Sequence, residues 1–136
     1  MRANGTFSVK AFNPAAIAAE PAISTALPVG VATMEKSFDG DIAGRSATLF
    51  TAAFDQATGV GTYLAMESFE GSVGGLAGAF NFVHSASTSG SDRTGEYFAI
   101  VPSSGTGQLA GITGDGGMVV GPDGTHRIWL EYQIAG

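Results

Sequence analysis

The chain predicts an all-β fold, a small antiparallel β-barrel or sandwich of about eight strands. Three observations carry that prediction. Short segments of alternating apolar and polar residues succeed one another at the spacing of neighbouring strands. Glycine is abundant, with 21 residues that break up these segments, as tight turns and close backbone approaches require. No segment keeps a helical period for three turns, and no internal repeat is present.

The first strand is expected over Thr6–Phe12, where Phe7, Val9 and Ala11 alternate with Ser8 and Lys10. Asn13 to Gly30 then breaks the pattern with Pro14, Pro21 and Pro28. One or two helical turns fit Ala15–Glu20, but the prolines rule out a long helix. So long a connection is expected to act as a lid or binding loop. Val31–Phe38 is the second strand, closed by Asp39-Gly40-Asp41, and Gly44–Phe54 and Gly61–Phe69 are the third and fourth. After a reversal at Gly71–Gly75, Leu76–His84 makes the fifth, and Ser85–Asp92 reads as a polar loop. Arg93–Val101, a short Gly116–Val120 and Thr125–Ala135 complete the set. Apolar residues on both faces of the fourth strand (Tyr63, Ala65 and Phe69 against Leu64 and Met66) predict a second buried surface, a contact between copies in a homo-oligomer.

Composition narrows the class. The 136 residues fit one domain, 1–136, able to bury a core without staples. Hydrophobic residues at 44% and charged residues at 13% argue against disorder and against a charge-rich helical bundle. The net charge is −6 and the six basic residues are scattered, which excludes a phosphate-tracking stripe and with it nucleic acid. With no cysteine there are no disulfides, zinc ribbons, iron–sulfur clusters or thiol nucleophiles. The start lacks an apolar h-region and no run reaches membrane-spanning length, so a cytoplasmic protein with no membrane partner is expected.

Five stretches carry a resemblance to a family. They are Gly5-Thr6-Phe7-Ser8-Val9; Lys36-Ser37-Phe38-Asp39-Gly40-Asp41-Ile42-Ala43-Gly44; Gly71 to Gly78 leading to Phe80 and His84; Val101-Pro102-Ser103-Ser104-Gly105-Thr106-Gly107-Gln108-Leu109-Ala110-Gly111-Ile112; and His126 before Tyr132. In order and spacing they resemble the bacterial family known as domain of unknown function 3224, over nearly the whole chain except Asn13–Gly30. The resemblance implies a barrel similar to that of allene oxide cyclase, on which enzymes cyclise or isomerise apolar substrates without a metal or organic cofactor. It implies no particular reaction. The segment before Thr33 is more apolar and richer in alanine than that family's pattern, which points to a different lid or ligand.

An up-and-down meander brings the end of each odd strand and the start of each even strand to one rim. His84, at the end of the fifth strand, and His126, at the start of the eighth, fall there with Tyr63, Glu96 and the Asn13–Gly30 connection; Glu67 falls toward the other end. His84 shares a face with Phe80 and Phe82, Glu96 with Phe98 and Ile100, and His126 with Ile128 and Leu130. With those faces inward, His84, Glu96 and His126 converge on an apolar mouth as catalytic acid–base candidates, tuned by desolvation. Tyr63, Phe80, Phe82, Phe98, Ile128, Leu130 and Tyr132 are expected to line a pocket for a small hydrophobic molecule, Tyr132 donating to a ligand oxygen.

The blander readings are rim histidines satisfied by backbone or water, and a Glu96 paired with Arg93 or Lys36. Two histidines and a glutamate suit a metal, but no close-spaced ligand pair exists and none is expected. The glycine-rich stretch from Gly105 lacks dinucleotide-loop spacing. It is expected to form a turn with one short helical turn, Leu109 and Ile112 plugging the far end. Lys36 shares parity with Met34 and Phe38, and a surface place or a salt bridge is expected over a buried cation. Three functions fit: a cofactor-independent cyclase, isomerase or other acid–base enzyme; a carrier or sensor that binds without turnover; and a structural barrel packed solid.

Overall fold

The structure, a computed structural model, describes residues 1–135. Eight antiparallel strands form a closed barrel in chain order, with β8 returning to β1. They are β1 (Arg2–Ala15), β2 (Val29–Gly40), β3 (Ile42–Asp55), β4 (Val60–Val73), β5 (Leu76–Ser89), β6 (Asp92–Ile100), β7 (Ile112–Val120) and β8 (His126–Ile134). The β1–β2, β3–β4, β5–β6 and β7–β8 connections lie at one end, termed upper here; the other connections and the N-terminus lie at the lower end. Among the described residues no helix is long and apolar enough to cross a membrane.

Alternation decides what fills the barrel. One face of each strand turns inward, bringing Phe38, Phe69, Phe80, Phe82, Phe98, Ile100, Ile128 and Leu130 into a single buried cluster. Its rings meet at favourable geometries: Phe38 and Phe69 edge to face at 5.5 Å, Phe82 and Phe98 stacked at 4.8 Å. Each such pair adds about 0.5–1.5 kcal/mol beyond area burial. The lower end is sealed by a single 3-10 turn at Gly107–Leu109, and Leu109 and Ile112 are fully buried, as the sequence leads one to expect. The outer faces of β3, β4 and β6 leave Leu49, Leu64, Met66 and Tyr97 exposed.

Several elements differ from the sequence reading. Residues 16–28 contain no helical turn, since Pro21 and Pro28 interrupt the segment and its run of exposed side chains gives a helix nothing to pack against. β1 carries a bulge between Val9 and Ala11, which reverses the alternation, so that Phe12, paired with Met34, takes the inward phase in place of Ala11. β5 runs on to Ser89 through the expected polar loop, because its serines and threonines pair with β4 and β6. β3 and β4 approach unusually closely where Gly44 faces Gly71. The β6–β7 pairing is the thinnest in the barrel, its register fixed by the single pair Ala99↔Asp115.

Candidate functional site

The upper interior is not filled. Above the aromatic cluster a cavity of about 180 Å³ remains, lined by Phe7, Val9, Met34, Phe50 and Ala65 together with polar groups from β2, β4, β5, β6 and β8. More voluminous hollows, about 490 Å³ beside Arg45 and Glu70 and about 690 Å³ along Arg2, Asn4 and Trp129, lie on the outer wall. The Arg45–Glu70 and Arg2–Glu131 ion pairs beside them are exposed.

His84 projects inward from β5 on the same face as Phe80 and Phe82, and its side chain is 5% exposed. Its ring lies 5.5 Å from that of Tyr63 and 5.8 Å from that of Phe98. Nε2 is 2.7 Å from Glu96 Oε2. Burial pushes the imidazole below its usual value of 6.5; the Glu96 contact opposes the shift, and the charges of Arg93 and Lys36 reinforce it. The ring is therefore neutral at pH 7. In that form the nitrogen facing the carboxylate carries the proton, and Nδ1 keeps a basic lone pair.

The same carboxylate oxygen also accepts the Met118 backbone N–H at 3.1 Å and faces Arg93 Nη2 at 3.3 Å. Arg93 in turn donates to the Met118 carbonyl and, at 3.4 Å, to the Tyr63 hydroxyl. Tyr63 stacks on Phe50 at 5.5 Å. Across the cavity His126 stacks on Phe7 at 5.1 Å.

The cavity floor holds a buried ion pair. Lys36 Nζ lies 2.5 Å from Glu67 Oε1, and Ser46 Oγ donates to Glu67 Oε2 at 2.8 Å. The two charged side chains are 7% and 0% exposed. The ammonium also sits 5.1 Å from the centre of the Phe7 ring, a cation–π contact.

Of the candidates read from sequence, His84 and Glu96 touch, and His126 and Tyr63 line the same cavity from other strands. His126 makes no direct contact with the His84–Glu96 pair. Phe80, Phe82, Phe98, Ile128 and Leu130 belong to the packed cluster below it. Tyr132 is corrected as a ligand donor: its hydroxyl lies against Gly74 in the β4–β5 turn, at the lower end, because β8 runs downward from His126. Glu67 is corrected too. It sits mid-barrel, level with Thr48 and Phe82, because β4 extends beyond Phe69 to Val73. Lys36 makes the expected salt bridge, but inside the barrel. Its inward parity with Met34 and Phe38 was the legible signal. Arg93 escaped notice as a site residue because it reads as a strand-end surface charge.

The His84 shift sets a pH dependence of stability. A histidine with a lowered folded-state pKa binds its proton more readily when unfolded, so its contribution is complete above the unfolded value and is lost as pH falls through the folded one. The urea midpoint is expected to drop as pH is lowered from 6.5, and His84→Gln should flatten that slope. An equal slope in both proteins would remove His84 as its source.

Comparison with known proteins adds a family and a fold. The family described as "Protein of unknown function (DUF3224)" matches residues 3–132. The crystal structure of a protein with unknown function from the DUF3224 family of Shewanella oneidensis MR-1 is 24% identical, with a TM-score of 0.83 over 100% of this chain and 98% of that one. No curated protein matches.

Proposed function

Because the chain belongs to the DUF3224 family, whose description assigns no reaction, its activity must be read from its own cavity, and we propose that this cavity binds a small apolar molecule and moves a proton on it. The observation that carries the reading is the contact between the buried His84 and Glu96 at 2.7 Å. A histidine whose tautomer and orientation are fixed by a carboxylate is a general base. Glu96 positions the ring and stabilises the imidazolium formed when Nδ1 takes a proton. Return of that proton to a different atom of the ligand is an isomerisation. A barrel of the allene oxide cyclase kind, which the sequence resemblance implies, would suit the same class, acid–base chemistry on an apolar substrate held near its reactive shape.

The test uses phenylacetone, whose carbonyl-activated C–H exchanges when a base removes the proton. The protein should accelerate its exchange in D2O, followed by proton NMR, and His84→Ala should lower the rate roughly 10²–10⁴-fold while the far-UV circular dichroism stays unchanged. Equal rates in both proteins would take His84 out of the chemistry.

A second reading, binding without turnover, is favoured by one observation. Glu96 Oε2 already bonds His84 and the Met118 amide and pairs with Arg93, so this carboxylate is engaged in holding the wall together. That reading predicts saturable chemical-shift changes with phenylacetone and no exchange.

A further inference from the structure

Four basic side chains and one phenol supply the ionisable groups that line the upper cavity. Lys36, Arg93, His84 and His126 line it, with Tyr63, and no carboxylate does. This occurs in a chain with twelve acidic and six basic residues. The two nearby acids are already engaged: Glu67, fully buried, takes Lys36 and Ser46, and Glu96 takes His84, Arg93 and the Met118 amide. An ammonium carries three N–H donors and Glu67 accepts from one face only, so Lys36 has donors left. The cavity thus offers the donors of Lys36 and Arg93 beside the lone pair of His84, and its remaining wall is apolar.

A neutral hydrocarbon in that space would strip water from Lys36 and Arg93 and return no acceptor, which is unfavourable for buried donors. Size is the second constraint. The space beside these donors, about 180 Å³, lies below the ~300–1,000 Å³ of sites for drug-sized ligands, and a second hollow of about 380 Å³ shares Phe50 and Tyr63 with it. The first suits a single ring or a short branched chain. We propose that the ligand is a compact apolar carboxylate, its head group against Lys36 and Arg93 and its hydrocarbon against Met34 and Phe50. This rests on the reading that the upper cavity is the ligand site, and it names the class of molecule that site selects.

The experiment compares benzoate with its uncharged ester, methyl benzoate, by amide-resolved NMR titration of the full chain at pH 7. Benzoate should bind about tenfold more tightly or better, with the largest shifts at Ala65 and Met118. Lys36→Met with Glu67→Leu, which replaces the pair by apolar groups, should weaken benzoate about tenfold and leave methyl benzoate unchanged. Arg93→Gln, which keeps the buried pair intact, should weaken benzoate several-fold. Equal affinity for the two compounds, or benzoate binding untouched in both variants, overturns the proposal. Binding of the ester alone overturns the choice of an anion and leaves the ligand site standing, whereas failure of both compounds to bind the cavity overturns the site as well.

Discussion

Lys36→Met should cost about 3–5 kcal/mol of stability, the expected penalty for leaving a charge without its partner inside a protein. Glu67 is fully buried and its remaining hydrogen bond, from Ser46, cannot replace an ammonium 2.5 Å away. The direction of rescue matters more than the loss. Removing both charges, with Lys36→Met and Glu67→Leu together, should restore most of the stability, because the pair met its own desolvation cost only by being intact. Urea denaturation of the wild type, the single and the double variant measures this directly. A single variant as stable as wild type would mean that Glu67 finds water or another donor, and the cavity floor would not be the closed ion pair described above.

The second large effect belongs to a backbone contact. Gly71→Ala should destabilise the barrel by about 3 kcal/mol or more, combining strain at a left-handed position with overlap that neighbours cannot relieve. A Cβ on Gly71, at φ +152°, would lie 2.0 Å from the Ala43 carbonyl oxygen and 2.8 Å from the Gly44 Cα. These are backbone atoms of the opposing strand, and the only response is separation of β3 from β4. Gly30→Ala is the control, since a Cβ there meets nothing within 4 Å; its effect should stay within about 0.5 kcal/mol. Thermal melts of the two variants that coincide would show that the close approach at Gly44 and Gly71 is not a constraint.

Architecture was legible where alternation is strict. On β8, Ile128 and Leu130 share the His126 face, and all three point inward in the structure. On β5, Phe80 and Phe82 announce the direction of His84 in the same way. Parity therefore brought His84 and Glu96 together across two strands without any motif. It failed at two kinds of place. A bulge costs one residue of register and no composition signal marks it, so Phe12 and Ala11 exchanged faces. Buried charge was the other failure. Lys36 and Glu67 sit on different strands, and an inward lysine reads as an error until its counter-ion is found two strands away. Strand ends moved as well: the extension of β4 to Val73 raised Glu67 from the lower rim to the centre. Tyr132 misled because sharing a face with His126 fixes direction but not depth.

The thin β6–β7 pairing joins barrel closure to the charge state of the site. With Ala99↔Asp115 as the one register pair, the Met118 amide and carbonyl are held by the side chains of Glu96 and Arg93 rather than by backbone of β6. A backbone ladder is indifferent to ionisation, but this clasp is not. Whatever neutralises or recruits Glu96, a proton or a bound molecule, loosens one stave of the cylinder beside the opening it guards. Solvent deuterons should therefore reach the Met118 amide at a rate governed by that carboxylate, so that the ease with which the wall parts is set by an ionisable side chain.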